Sequence, residues 1–239
     1  MNLKNKVAII TGASRGIGKG IALALAKEGC HLVACARNEE QLLKLKEEVE
    51  AYGVACITAP VDLGSTEQVR SVVDIALGRF KQIDILINNA GVIMKDGLFG
   101  VTEEAWDLTM AINSKAQFFL SQYTLEEMKK LRQGYIINIS STVALGAKPE
   151  VTSYSVSKYA VAGLSEALYQ EAKKYGVKVS TIYPGVTDTE MLRSQEMPCG
   201  PSQWMLPEDI ASCVIFLLKT SSRMVVKDLV PWSTGYDQI

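Results

Sequence analysis

Along the chain, short apolar runs alternate with stretches in which apolar residues recur every three or four positions. Residues 7–10, 32–36, 54–61, 83–88, 134–139, 177–183 and 224–230 form the short runs, and they predict seven strands. Residues 17–27 place Ile17, Ile21 and Leu25 on one face of a helix. Residues 39–52 turn Leu42, Leu45 and Val49 inward, with Glu40 and Lys44 as a supporting surface pair. Gly29 and Gly53 end these two helices. Further helices are predicted over 66–80, about 102–131, 154–175 and 207–219. Thr102 is a good N-cap followed by Glu103 and Glu104 at the positive helix end, and Pro207 suits a first helical position. Residues 187–206 are irregular and hold Pro198, Gly200 and Pro201. Strands that alternate with helices predict an α/β fold with a parallel seven-stranded sheet covered on both faces. No repeat, low-complexity tract or linker interrupts the pattern, so residues 1–239 read as one doubly wound domain.

Composition narrows the partners. The formal net charge is −1, so no basic excess argues for nucleic acid or an anionic membrane surface. The longest apolar stretches, such as 213–218, are far too short to cross a bilayer. Residues 1–6 lead straight into the first strand without the apolar region of a signal peptide, and the last residues carry no lipidation or retention signal. The cysteines, Cys30, Cys35, Cys56, Cys199 and Cys213, are odd in number and form no C-x-x-C pair. Reduced thiols in a cytoplasmic protein are the expectation. His31 is the sole histidine and reads as a strand-edge residue, so no metal site is expected.

Chemistry begins at the first strand–helix junction, Thr11-Gly12-Ala13-Ser14-Arg15-Gly16-Ile17-Gly18. Gly12 allows a tight turn, Gly16 lets a pyrophosphate approach the backbone, and Gly18 lets the helix pack close to the sheet. The helix start then offers free N–H groups and a positive dipole end to phosphates. The turn predicts the phosphate site of a Rossmann-type dinucleotide domain, with spacing G-x-x-x-G-x-G and not the commoner G-x-G-x-x-G. The end of the second strand, where an acid would accept from a ribose 2′-hydroxyl, reads Ala36-Arg37. A guanidinium binds a 2′-phosphate that a carboxylate would repel, and Arg15 is a second candidate for it. The expected cofactor is NADP(H).

Tyr154 and Lys158 lie four apart on a predicted helix and so share a face. A free phenol titrates at about 10, and a nearby ammonium is expected to lower that value. Tyr154 would then act as general acid for carbonyl reduction or general base for alcohol oxidation.

Several motifs in order resemble the short-chain dehydrogenase/reductase family, in its shorter, non-extended branch. They are the glycine turn, Asn88-Asn89-Ala90-Gly91, Asn113, Ser141, Tyr154-Ser155-Val156-Ser157-Lys158 and Pro184-Gly185-Val186-Thr187-Asp188-Thr189. The resemblance spans about residues 6–218. It implies a catalytic set of Asn113, Ser141, Tyr154 and Lys158. Ser141, thirteen residues before Tyr154, would orient the substrate oxygen, with Ser140 as the neighbouring alternative. Asn113 would hold a water linked to Lys158, and Lys158 would also bind the nicotinamide ribose. The cofactor contacts it implies are Ser14, Ile17 and the turn glycines, Asp62 and Leu63 at the adenine, Asn89, Ala90 and Gly91, and Pro184, Gly185, Val186 and Thr189 near the nicotinamide.

A small carbonyl or alcohol substrate would sit outside the C-terminal strand ends, against 92–94, 143–145 and the irregular run of 190–206. Met191, Leu192, Met197, Trp204 and Met205 suggest a mainly apolar lid. Acyl-carrier-protein reductases of the family end on a glycine-rich strand, whereas residues 225–232 read Val-Val-Lys-Asp-Leu-Val-Pro-Trp and look more like branches acting on small ketones or 3-hydroxy acids. A 3-oxoacyl-carrier-protein reductase and a non-catalytic NADP(H) sensor stand as alternatives. A dehydratase or epimerase on the same scaffold is disfavoured by the glycine spacing. By analogy with the family, helices bearing Phe118, Phe119 and Leu164 would build a homodimer or homotetramer.

Overall fold

A computed structural model describes residues 1–193 and 203–234. Seven strands form one sheet: β1 Val7–Thr11, β2 His31–Ala36, β3 Cys56–Pro60, β4 Ile85–Asn88, β5 Gly134–Ile139, β6 Val177–Ile182 and β7 Asp228–Leu229. Their order is β3-β2-β1-β4-β5-β6-β7, with every pairing parallel. Alternate strand residues face opposite sides. Ile10, Leu32 and Ile87 pack toward α1 (Gly16–Lys27) and α9 (Pro207–Lys219). Ile9, Val33 and Leu86 pack on the other side with α3 (Thr66–Phe80) and α6 (Ala116–Leu131). Both faces are covered, which is why the strands read as continuous apolar runs instead of alternating ones. The remaining two-turn-or-longer helices are α2 Glu39–Glu50, α5 Glu103–Met110 and α7 Thr152–Ala172, and two single turns are α4 Gly97–Gly100 and α8 Glu190–Arg193.

The order reverses between β1 and β4, because the chain builds outward from β1 through β3 and then returns to add β4 on the opposite edge. Crossover connections leave these two C-terminal strand ends in opposite directions, and the crevice between them is where such sheets bind ligands.

Besides two single turns that the sequence reading did not expect, α4 and, inside the run expected to be irregular, α8, the structure departs from the sequence expectation at three places. The single helix expected over 102–131 is two helices joined by a π-helical turn, Ala111–Lys115. Asn113 sits in that turn and is tied to Val92 and Ser157, so the wide turn coincides with a polar side chain engaged by neighbouring elements. The last strand shrinks from 224–230 to Asp228–Leu229. Side chains of β6 take the carbonyls that precede it: Lys178 Nζ donates to Met224 O at 2.7 Å, and Ser180 Oγ donates to Val226 O at 2.5 Å. Thirdly, α7 begins at Thr152, and its expected last turn, Lys173–Tyr175, is a 3₁₀ turn. His31 occupies the strand edge as expected. Its Nδ1 accepts from Ala55 N at 3.1 Å, and its ring stacks on Phe80.

Residues 194–202, with the expected lid residue Met197, and the chain end 235–239 lie outside the described residues. The described ends of the expected lid are pinned together. Thr187 bridges Met205, Asp188 N donates to Met205 O at 2.7 Å, and Met205 N donates to Val186 O at 3.0 Å. Among the described residues, no helix is long and apolar enough to cross a membrane.

Candidate active site

A cleft of about 1060 Å³ runs along the C-terminal strand ends. It brings together Gly12, Ser14, Arg15, Gly16 and Ile17 of the turn, Arg37, Asp62 and Leu63, Asn89, Ala90 and Gly91, Ser141, Tyr154 and Lys158, and Pro184, Gly185, Val186 and Thr189. Of the expected catalytic and cofactor residues, Gly18 and Asn113 do not line it and are buried behind it; of the expected substrate wall and lid, Val92, Ile93, Val143, Met191 and Leu192 line it, whereas Met94, Ala144, Leu145, Trp204 and Met205 do not.

One end is built mainly from backbone. Gly12 has φ +65°, a left-handed conformation that disfavours side chains. A Cβ on Gly18 would stand 2.1 Å from the Gly12 carbonyl oxygen, so only glycine lets α1 start this close to β1. No side chain caps the first turn of α1, which leaves its N–H groups facing the cleft. Thr11, which the sequence reading passed over, locks this end. Its Oγ1 accepts from Asn89 N at 2.9 Å and Ala90 N at 3.0 Å, and Asn89 Nδ2 donates back to Thr11 O at 2.9 Å. The flexible-looking Asn-Asn-Ala-Gly segment is thereby stitched across the β1–β4 crevice.

At the end of β2, Arg37 is exposed beside Asn38 and Gln41, which share the cleft wall. Asn38 caps α2 by accepting from Gln41 N at 2.9 Å, so a helix N-terminus and a guanidinium face the same space. Arg15 is paired with Glu190 at 2.5 Å, across the cleft from the turn to α8. Asp62 serves its own turn, accepting from Gly64 N at 2.9 Å, while also lining the cleft.

The other end is built from side chains. Lys158, 3% exposed, donates from Nζ to Ile139 O at 2.9 Å. Its ammonium lies 5.6 Å from the Tyr154 ring centre. Tyr154 and Lys158 therefore share a helix face, as their spacing required. The electrostatics differ from expectation. Burial pulls the Lys158 ammonium down to about 8. Burial also raises the Tyr154 phenol above its ordinary value, and a hydrogen bond with Ser141 opposes the rise without cancelling it. The expected lowering by Lys158 is thus not delivered: burial disfavours the phenolate, and what opposes it is the Ser141 hydrogen bond. Of the adjacent serines, Ser140 donates to Lys158 O at 3.1 Å, whereas Ser141 faces the phenol.

Asn113 is fully buried and engaged: Nδ2 donates to Val92 O and Ser157 Oγ, each at 2.9 Å, and Oδ1 accepts from Val92 N at 2.8 Å. It stays near the lysine, since the position a Cβ would take on Gly91 is 3.4 Å from Asn113 Oδ1 and 3.7 Å from Lys158 Nζ. Beneath lies a polar chain that no spacing in the sequence announced. Asn88 Nδ2 donates to Ser121 Oγ at 2.9 Å and Asn138 Oδ1 at 2.8 Å, and Asn138 Nδ2 donates to Ser165 Oγ at 2.8 Å, joining β4, β5, α6 and α7. Trp232 was also missed. It reaches the cleft wall beside Gly185, whose N–H donates to Pro231 O at 3.0 Å. An aromatic following the short last strand was the only signal for it.

The family model described as short chain dehydrogenase matches residues 6–198. A 2-dehydro-3-deoxy-D-gluconate 5-dehydrogenase of Dickeya dadantii is 33% identical over 94% of this chain and 92% of its own length. The 3-oxoacyl-[acyl-carrier-protein] reductase of Thermotoga maritima is 30% identical over 96% of this chain and 97% of its own. Among solved structures, an alcohol dehydrogenase from the archaeon Thermococcus sibiricus, complexed with 5-hydroxy-NADP, aligns with a TM-score of 0.91 at 28% identity, over 99% of this chain and all (100%) of that one. With its parallel sheet, glycine turn and clustered serine, tyrosine and lysine, the chain belongs to the short-chain dehydrogenase/reductase family and is an oxidoreductase.

Proposed function

We propose that this protein is an NADP(H)-dependent carbonyl reductase/alcohol dehydrogenase that interconverts a ketone and a secondary alcohol. The observation that carries the reading is one continuous cleft with an arginine, Arg37, and no acid at the end of β2, and with Ser141, Tyr154 and Lys158 together at the far end. The NADP derivative bound by the Thermococcus relative points the same way.

The glycine turn and the uncapped start of α1 suit a pyrophosphate, Arg37 and Arg15 a 2′-phosphate, and Val186 and Thr189 the nicotinamide end. When bound, the cofactor supplies or accepts the hydride, and its oxidised ring carries the positive charge that favours a phenolate nearby. In reduction, Ser141 Oγ and Tyr154 Oη hold the substrate oxygen, and Tyr154 passes its proton to that oxygen as the C=O bond becomes C–OH. The proton is replaced from solvent along Lys158, whose value near 8 lets it take up and release protons close to neutrality. Asn113 is a positioning residue in this scheme: it fixes Val92 and Ser157 on either side of the lysine's turn. In oxidation each transfer reverses.

Residues 187–206 would form the substrate loop of a single catalytic domain. The enzyme would be cytoplasmic, with Cys30, Cys35, Cys56 and Cys213 as reduced thiols. Exposed Phe118, Val156 and Tyr159 on α6 and α7 offer an apolar face for a homodimer or homotetramer.

The test follows NADPH absorbance with a panel of ketones and aldehydes. Carbonyl-dependent oxidation of NADPH, and little or none of NADH, is the expected result. Tight NADPH binding with no turnover on any carbonyl would overturn the reading in favour of a sensor.

A further inference from the structure

We propose that Trp232 sets substrate specificity in the cleft, and that it selects a neutral ketone bearing a flat apolar ring. The proposal rests on the reading of this cleft as the reducing site.

Trp232 lines the cleft from the segment that follows β7. Backbone hydrogen bonds carry the β6–β7 pairing past the strand ends: Tyr183 N donates to Leu229 O at 2.8 Å, and Gly185 N donates to Pro231 O at 3.0 Å. On its other side the Pro184–Gly185 turn meets the segment after β5, where Thr142 N donates to Pro184 O at 3.1 Å. Thr142 directly follows Ser141, whose hydroxyl faces the phenol. Trp232 is therefore one strand segment away from the residue that orients the substrate oxygen. Its indole leans on the turn between them: the position of a Cβ on Gly185 is 3.4 Å from Trp232 Cε3 and 3.3 Å from Pro231 O. Glycine there lets the ring lie against the backbone, and the contact fixes one side of the indole. The side chain is half-buried, so part of this large apolar surface is left open on the cleft.

Aliphatic side chains from three other segments wall the same space. Val92 and Ile93 come from the segment after β4, Val143 from the segment after β5, and Leu192 from α8. Val92 is held at both N and O by Asn113, and Val143 N donates to Ser141 Oγ at 3.4 Å. A polyhydroxylated group would lose water against these side chains without gaining a partner. Charge adds no preference. Lys95, Lys148 and Glu150 line the lip, and Asp96 directly follows Lys95, so the signs balance. Shape and polarity are then what select. An indole gains from a flat ring in offset or edge contact beyond the area the two bury, whereas a flexible chain gains area alone and gives up rotor freedom to do so. With its carbonyl at Ser141 and Tyr154, a ring-bearing ketone lays its ring on Trp232.

The experiment uses the full chain, NADPH and methyl ketones with the same carbonyl environment: phenethyl, cyclohexylethyl and octyl methyl ketone. For the phenethyl ketone, kcat/KM is expected to exceed that for the octyl ketone at least tenfold, mainly through KM, with the puckered cyclohexyl ring in between. In Trp232→Ala the phenethyl-to-octyl ratio should fall to within about twofold of one. Trp232→Phe keeps a smaller flat ring and should retain about a third of the ratio. NADPH binding followed by fluorescence should hold within about twofold in both variants, because the indole meets substrate and not cofactor. A ratio near one in the unmodified enzyme, which decides the matter even if neither variant folds, would overturn the proposal and leave the reductase reading standing. So would a ratio untouched by both variants, or turnover confined to charged or polyhydroxylated carbonyls of the wider panel. A large loss of NADPH binding in Trp232→Phe would overturn it too, by placing the indole on the cofactor. No turnover of any carbonyl would remove the reductase reading and the proposal with it.

Discussion

The two ends of the cleft are built from different materials. The phosphate end is a matter of backbone: glycines at a strand–helix junction, a bare helix start, and Thr11 and Asn89 tying two strand ends. The substrate end is a matter of side chains brought from β5, α7, the segment after β4 and the segment after β7. A backbone site needs a few residue types at fixed spacing, because only glycine tolerates the geometry. A side-chain site needs the right neighbours in space, and its pKa values depend on all of them. The first end should therefore fail through shape and charge of the cofactor, and the second through loss of a single proton or charge.

Tyr154→Phe should separate the ends most sharply. It removes only the proton, so kcat should fall about 10³-fold, within the range for losing a general acid, while NADPH binding followed by fluorescence should hold within twofold. A parallel loss of binding would show that the two ends are not separable. Arg37→Glu should do the converse. Loss of a charge-assisted phosphate contact, with repulsion added, should lower kcat/KM for NADPH about 100-fold and leave NADH little affected.

Lys158 gives a stability counterpart. Its folded value of about 8 lies below its ordinary 10.5, so between those pH values the unfolded chain binds more protons and stability rises with pH. Below pH 8 the cost of the buried charge is present in full. Lys158→Met should therefore stabilise the fold at pH 7 by about 3 kcal/mol, seen as a higher Tm in the inactive variant, with the gain fading as pH rises from 8 to 10.5. A variant equal to or less stable than the parent at pH 7 would show that the ammonium is well solvated or paired. The smallest effect is expected at Glu190→Gln. It frees Arg15, but both partners are exposed, so NADPH should bind tighter by less than fivefold and NADH not at all.

The sheet, its helices and the phosphate turn were legible because each depends on local periodicity or on glycine at a set position. The cluster of Ser141, Tyr154 and Lys158 was legible because two members lie one helical turn apart and the resemblance supplied the third. The π turn at Asn113 was not, since its residues keep the same apolar periodicity as a plain helix and the engagement with Val92 and Ser157 is long-range. The short last strand was hidden for a similar reason: Lys178 and Ser180, on another strand, take its carbonyls. Spacing also misled on the phenol. It shows that an ammonium is near, but the depth of burial that raises Tyr154 is a property of the packed cleft.

That last point is open to direct measurement. Phenolate absorbance near 295 nm, taken as the difference between the parent protein and Tyr154→Phe over pH 6 to 11, reports the Tyr154 titration alone. Without cofactor the midpoint should lie above the ordinary phenol value of about 10, and saturating NADP⁺ should move it down by at least one pH unit. A midpoint already well below 10 in the protein alone, or one that NADP⁺ leaves unmoved, would contradict the account.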